Sequence, residues 1–170
     1  MKDVKSYVIG FLTCACMFLI MGQTQVSNNL GDIEVNSITI RGADGKEIIY
    51  AGGAAGGGGI VITYNADGKK TMYAGTAADG SGYIQTYNTD GKETMYAGTG
   101  DGGAGIVTTF NADGKETMYA GTGDDGGGLI KLSNTFGNVT SLLSTNANED
   151  GVINLFDRYG EFGWGMSGKK

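Results

Sequence analysis

The stretch Tyr64–Thr76, YNADGKKTMYAGT, returns 23 residues later as YNTDGKETMYAGT (Tyr87–Thr99) and again as FNADGKETMYAGT (Phe110–Thr122). Loops ordinarily tolerate insertions. A period kept without insertion or deletion therefore predicts units that stack in register as a repeat array, whose degenerate last two units serve as caps. The glycines expected to form the turns mark that period: Gly45, Gly68, Gly91, Gly114, Gly137 and Gly160.

Each unit contains two short segments rich in β-branched and aromatic residues, such as Ile60–Tyr64 and Lys70–Ala74. This composition predicts β-strands, and no helical periodicity is visible after Gly22. We therefore expect an all-β array of six 23-residue repeats over residues 37–170. Two architectures fit. The tight Asn-Ala-Asp-Gly reversal favours an antiparallel β-hairpin meander, and the invariant period favours a parallel β-solenoid-like array, which we prefer.

Alternation along the strands separates two faces. One face carries only aliphatic residues or threonine in the first strand, as at Val61 and Ile84, and methionine and alanine in the second. A face that accepts no charge is expected to be buried, whereas the opposite face accepts Lys131 and is expected to be wet. That second face is predicted to carry the threonines Thr71, Thr94 and Thr117 together with the contact candidates Tyr73, Tyr96 and Tyr119.

Residues 1–24 combine a basic start, the apolar run Tyr7–Gly22 and a polar exit. This order is typical of a signal peptide or an N-terminal membrane anchor, and it predicts a hydrophobic helix. Sixteen helical residues rise about 24 Å, which is shorter than a bilayer core of about 30 Å and favours the signal. We expect export to the cell surface, periplasm or extracellular space, with residues 25–36 as a linker. Both cysteines, Cys14 and Cys16, lie inside the apolar run.

The charge balance narrows the range of partners. The net charge is −6, and removing Lys2, Lys5 and Asp3 with the first 24 residues makes it −7. A surface that acidic repels phosphate, so we expect no nucleic-acid partner, and membrane contact only through the N-terminal segment. Histidine, the commonest general base and metal ligand, is absent from the sequence. We therefore expect no enzymatic activity and no catalytic residue.

Two binding functions remain as alternatives. The glycine-rich stretches GTGDGGAG (Gly98–Gly105) and GTGDDGGG (Gly121–Gly128) carry three candidate calcium ligands, Asp101, Asp124 and Asp125. Calcium takes six to eight oxygens, so these aspartates bind it only if copies cooperate. The tyrosine column is the candidate for stacking on sugar rings, which would make the chain a glycan-binding adhesion module. The recurring Asp44, Asp67, Asp90 and Asp113 are expected to cap turns.

The composition also predicts self-association. Glycine, alanine and threonine fill so many positions that one chain buries little apolar area to offset its conformational entropy. We therefore expect a structural or surface-interaction protein whose copies assemble as a trimer or a fibre.

The stretch GDIEVNSITIRGADGKEI (Gly31–Ile48), the YNTDGKETMYAG units and the closing DRYGEFGWGMSGKK (Asp157–Lys170) resemble uncharacterised exported glycine-rich β-repeat proteins of marine bacteria. The resemblance covers almost the whole chain and implies export and a repeated β architecture, without any catalytic or binding residue. The hairpin-sized repeats are also similar, more loosely, to the single-layer sheets of some bacterial surface lipoproteins. Those sheets are rich in lysine and glutamate rather than glycine.

Overall fold

The structure, a computed structural model, describes residues 2–22, 34–54, 56–123 and 125–168. The chain divides into two compact units, residues 1–35 and 36–170. The described part of the first unit contains one helix, α1 (Lys2–Gly22), in which the Thr13 hydroxyl donates to the Ile9 carbonyl. No helix in these ranges combines the length and the apolar character that a membrane-spanning segment requires.

The second unit is a twelve-stranded antiparallel sheet in which every strand pairs with its neighbours in sequence. This confirms the all-β class and the hairpin meander, and the preference for a solenoid was wrong. The reason is that every connection is a reversal too short for a parallel crossover. The strands are β1 (Ser37–Arg41), β2 (Glu47–Gly53), β3 (Gly59–Tyr64), β4 (Lys70–Thr76), β5 (Gly82–Tyr87), β6 (Glu93–Thr99), β7 (Gly105–Phe110), β8 (Glu116–Thr122), β9 (Gly128–Ser133), β10 (Val139–Thr145), β11 (Gly151–Phe156) and β12 (Phe162–Ser167).

All eleven reversals share one pattern of two backbone hydrogen bonds across five residues. In residues 88–92, the Asn88 N–H donates to the Lys92 carbonyl and the Gly91 N–H donates to the Asn88 carbonyl, both at 2.9 Å. The fourth residue always has a positive φ, and it is glycine except at Glu149, where φ is 66°. The six glycines that mark the period all occupy this fourth position. The glycine-rich connections make the same two hydrogen bonds, and in two of them the third residue, Gly56 or Gly102, also has a positive φ.

A side-chain carboxyl or amide oxygen caps most of these turns. Where asparagine comes first, its side chain does so: Asn65 Oδ1 accepts from the Asp67 and Lys69 N–H groups, at 3.0 and 2.9 Å. The sequence predicted that the aspartates at the third position cap the turns. They do so only where the first residue is glycine or alanine, whose side chain offers no hydrogen-bond acceptor. The third-position carboxylates that cap in this way are Asp44, Asp79 and Asp125.

Lysines connect each of the first four turns that contain a period-marking glycine to the next turn of that type, and Asn134 and Asn138 connect the fifth to the sixth. The fifth residue of the turn donates from its ammonium group to a backbone carbonyl in the following unit, across an intervening strand pair. This contact forms only if neighbouring turns lie level, so an inserted residue would break it. The four bonds run from Lys46 to Ala66 at 2.6 Å, Lys69 to Thr89 at 2.8 Å, Lys92 to Ala112 at 2.9 Å and Lys115 to Phe136 at 3.2 Å.

The sheet is a single layer. Extensive contacts between strands join only sequence neighbours, and no hydrophobic residue among those described is fully buried. Thr108, 6% exposed, is the one described polar residue that is buried. The prediction that Val61, Ile84 and Val107 lie on a buried face was therefore wrong for the single chain, because no second layer covers them.

The turn geometry predicts opposite effects of two substitutions. An added Cβ at Gly91 meets nothing within 4 Å, so Gly91→Ala tests backbone conformation alone. We expect it to lower the free energy of unfolding by about 1–2 kcal/mol, and Glu149→Gly to raise it by about 0.5 kcal/mol. Urea denaturation measures both. Gly91→Asn is the matched control and should lose less, since asparagine tolerates positive φ; equal losses for alanine and asparagine would contradict the account.

Candidate functional site

One face of the sheet carries no charged side chain across all twelve strands. The cross-strand register places two residues of each strand on it, in two continuous rows that we call the aliphatic face. The first row is Ile38, Ala51, Val61, Ala74, Ile84, Ala97, Val107, Ala120, Ile130, Leu143, Ile153 and Met166; the second is Ile40, Ile49, Thr63, Met72, Thr86, Met95, Thr109, Met118, Leu132, Ser141, Leu155 and Trp164.

The larger side chains of the aliphatic face are open to water. Ile84 is 44% exposed, Leu143 48% and Trp164 50%. In much of the first row an alanine lies opposite each larger residue, so the side chains project only a short distance from the sheet. The threonines and the serine are the only polar residues in the two rows. An uncharged, largely aliphatic surface that extends over twelve strands is larger than the apolar patches that a soluble monomer ordinarily exposes, and such patches are typical of interaction sites.

The opposite face carries the tyrosines. Tyr73 and Tyr96 lie two strand spacings apart, with Gln85 opposite both. Tyr83 stacks between them, with ring centroids 5.1 Å from Tyr73 and 5.7 Å from Tyr96. Tyr119 lies a further two strands away, beyond Thr108, with Lys131 opposite it. Sequence reasoning missed Tyr83 because its part in the stack depends on the antiparallel pairing.

The Tyr-Ala-Gly triplet has a steric explanation. Tyr96 Oη donates to the Thr99 carbonyl at 2.8 Å, so its ring lies along its own strand over Gly98. A Cβ at Gly98 would come within 2.5 Å of the Tyr83 Cβ and 2.8 Å of the Gly82 carbonyl oxygen. Only glycine leaves room there, and the alanine between the two residues belongs to the aliphatic face.

Charged and polar groups on the tyrosine side find partners there. Tyr87 Oη donates to Gln85 Oε1 at 2.7 Å, and Gln85 Nε2 donates to Glu93 at 2.9 Å. Burial raises the pKa of Glu93, a shift that the Gln85 hydrogen bond partly offsets. Lys131 pairs with Glu116 at 2.8 Å and lies 5.3 Å from the centre of the Tyr119 ring. This side therefore presents a polar, internally paired surface to water.

The threonine column expected beside the tyrosines lies on the other side. A β-bulge between Thr63 and Tyr64 leaves Thr71 as the extra residue of β4, and its hydroxyl lies 2.7 Å from that of Thr63 on the aliphatic face. A bulge turns consecutive side chains toward one side, an effect that strand parity alone does not predict. Equivalent hydroxyl pairs join Thr86 to Thr94 at 2.8 Å and Thr109 to Thr117 at 2.9 Å.

Of the three candidate calcium ligands, only Asp125 has a side chain among the described residues. Asp125 accepts the Gly127 N–H at 3.1 Å as a turn cap. Asp124 lies outside the described residues, and so does the side chain of Asp101. Within the part of the chain that the structure describes, no three histidine, cysteine, aspartate or glutamate residues group as metal ligands.

No protein-family model matches the chain, and no curated protein does. The functional inference therefore depends on the geometry of its two faces. Of the predicted contact residues, Tyr73 and Tyr96 share one stack through Tyr83, and Tyr119 does not join it. Among the described residues, the aliphatic face is the extended surface whose large side chains remain exposed.

The tyrosine stack predicts loss of stability at alkaline pH. Burial, followed by a hydrogen bond with Tyr73, raises the pKa of Tyr83 to about 12. A raised folded-state pKa means that this contribution is complete below the unfolded value of about 10 and is lost as the pH rises toward 12. We expect the urea midpoint to change little up to about pH 9 and to fall between about pH 10 and about pH 12.

Two variants check the source of that fall. Tyr83→Phe should flatten the pH dependence, whereas Tyr159→Phe, at an exposed ring, should leave it unchanged. An alkaline fall in Tyr83→Phe as large as that of the wild type would show that Tyr83 is not responsible.

Proposed function

We propose that this chain is a non-enzymatic structural protein that acts by self-association through its aliphatic face. The observation that carries the proposal is the uninterrupted uncharged surface across all twelve strands, with its large side chains exposed. Burial of apolar area is the dominant favourable term in most protein association. A single layer that keeps this surface in water forgoes most of that free energy.

A second copy of the chain fits this face. Twelve strands about 4.8 Å apart, each contributing about five residues, make a surface of roughly 50 by 17 Å. A face-to-face pair would remove roughly 1,700 Å² from water, within the about 1,200–2,000 Å² typical of stable interfaces. Neither copy would bring a charge to the contact, so burial leaves no ion unpaired. The product is a β-sandwich with the sheets about 10 Å apart.

The difference between the two faces favours a face-to-face dimer over the expected trimer. Glu93, Glu116 and Lys131 find their partners on the tyrosine side and keep it compatible with water. One facing sheet is enough to cover the single apolar face of each copy. The two polar faces then form the outer surfaces of the pair.

We further propose that the chain is exported. The support is the order of a basic start, an apolar run and a polar exit in residues 1–24, which is typical of signal peptides. An extracellular structural protein of this kind would assemble at the cell surface.

Glycan binding is a second candidate. A shallow depression at the loop edge of the sheet is lined in part by Asp79, Ser81, Tyr96 and Ile106, an arrangement of polar and aromatic groups that suits a sugar. Against it, Tyr96 is already stacked on Tyr83, and its hydroxyl is bonded to Thr99. A glycan array tests it, and binding that Tyr96→Ala abolishes would support this function.

Substitution of adjacent residues on opposite faces tests the proposed association. Ile84→Lys places two unpaired charges in the interface of a pair and should weaken self-association at least about 100-fold. Sedimentation velocity over a concentration series measures this. The emission of Trp164, on the same face, should shift to the blue as the wild type associates.

Gln85→Lys is the matched control, because it adds the same charge at the next residue but on the tyrosine side. Lys131 occupies the equivalent place two units later, so the fold accepts the side chain. Association should be retained in this variant. Equal loss in both variants, or a wild type that stays monomeric at high concentration, would contradict the proposal.

A further inference from the structure

Among the residues that the structure describes, β1 pairs only with β2 and β12 pairs only with β11, so these two strands form the edges of the sheet. Unpaired edge strands are templates for another strand, and natural proteins blunt them with proline, charges or bulges. The sequence contains no proline, β12 (FGWGMS) carries no charge, and Arg41 at the end of β1 is the only charge on that strand. β12 has one bulge, at Gly163, but the second strand of each earlier unit has a bulge at the equivalent position and still pairs with the strand that follows it. Neither edge strand is therefore blocked by proline or by a run of charge, and the bulge of β12 is compatible with pairing.

The repeat supplies the partner for each edge. Between units, the second strand of one unit always pairs with the first strand of the next, without a bulge. Tyr50 lies opposite Ile62, Gln85 opposite Tyr73 and Lys131 opposite Tyr119, so the register between units is constant. β12 is the second strand of the last unit, and β1 is the first strand of the first unit. β12 therefore lacks the strand that would follow it in the repeat, and β1 lacks the strand that would precede it. Each strand can supply what the other lacks.

The side chains at the two edges suit this junction. Extending the register by whole units places Trp164 opposite Ile40 and Met166 opposite Ile38, which continues both rows of the aliphatic face. On the tyrosine side it places Gly165 opposite Thr39 and Ser167 opposite Ser37. No like charges meet, and glycine faces a larger residue, as Gly75 faces Ile60 inside the sheet.

We propose that β12 of one copy pairs with β1 of a second copy in this register, so that the sheet continues from chain to chain as a filament. The inference deepens the proposed self-association by adding a second contact surface. The contact is head to tail, because the two edges differ, and it leaves a free β1 and a free β12 at the ends of every assembly. Such heterologous contacts give open filaments rather than closed oligomers when the rotation between copies does not close. Face-to-face pairing then makes the filament two sheets thick.

A disulfide tests the junction. In the full chain with Cys14→Ser and Cys16→Ser, the substitutions Ser37→Cys and Ser167→Cys place one thiol on each edge, both on the tyrosine side and outside the aliphatic face. Disulfides require Cα atoms within about 7 Å. The proposed register brings the two thiols of neighbouring copies opposite each other, and mild oxidation should give a ladder of dimers, trimers and longer chains that reductant collapses.

Arg41→Cys with Ser167→Cys is the matched control. It puts a thiol on the same strand and face but about 13 Å out of register, so it should give about tenfold less cross-linked product. A ladder for the first pair and not the second supports the inference. Equal ladders for the two pairs, or only monomer from the first pair, overturn it.

The test separates this inference from the proposed function. If Ser37→Cys with Ser167→Cys stays monomeric on the gel while the wild type still associates by sedimentation, the edge junction is wrong and the face-to-face pairing stands. If Ile84→Lys does not weaken association in the wild-type background while the disulfide ladder still forms, the face-to-face pairing is wrong and the edge junction stands.

Discussion

The structure depends on one constraint, a cross-strand register that is the same in every unit, including the position of its bulge. Eleven reversals with the same two hydrogen bonds set this register, and lysines that bridge successive turns keep the turns level. Because side chains alternate along a strand, a slip of one residue would exchange the faces of every later strand. The fixed period is therefore what lets twelve strands present one uncharged face and one polar face.

The energetic balance of the fold follows from its single layer. Without a buried core, stability in the described part of the sheet comes from the backbone ladder, the capped turns, and the partly buried aromatic and polar contacts of the tyrosine side. The polar side is the more covered one, because tyrosines fold over glycines there and stack. The large side chains of the aliphatic side remain exposed to water, and in our proposal association buries them.

The two proposed contacts use different physics. Face-to-face pairing draws on apolar burial, which is non-directional and tolerates sliding. Edge pairing draws on backbone hydrogen bonds, which fix direction and register. Together the two contacts would build a thin filament. The pair of strands that repeats within each chain would then also repeat along the filament axis, across the junctions between chains.

The sequence by itself determined the units, their boundaries and the two strands in each, because glycine spacing and strand composition are local properties. It also separated an uncharged face from a polar one at Val61 and Ile62. Three features depended on the tertiary structure. Antiparallel pairing put Tyr83 between Tyr73 and Tyr96, a bulge moved Thr71 across the sheet, and the absence of a second layer left Val61 exposed. Each depends on which strands become neighbours, and a sequence pattern does not encode that directly.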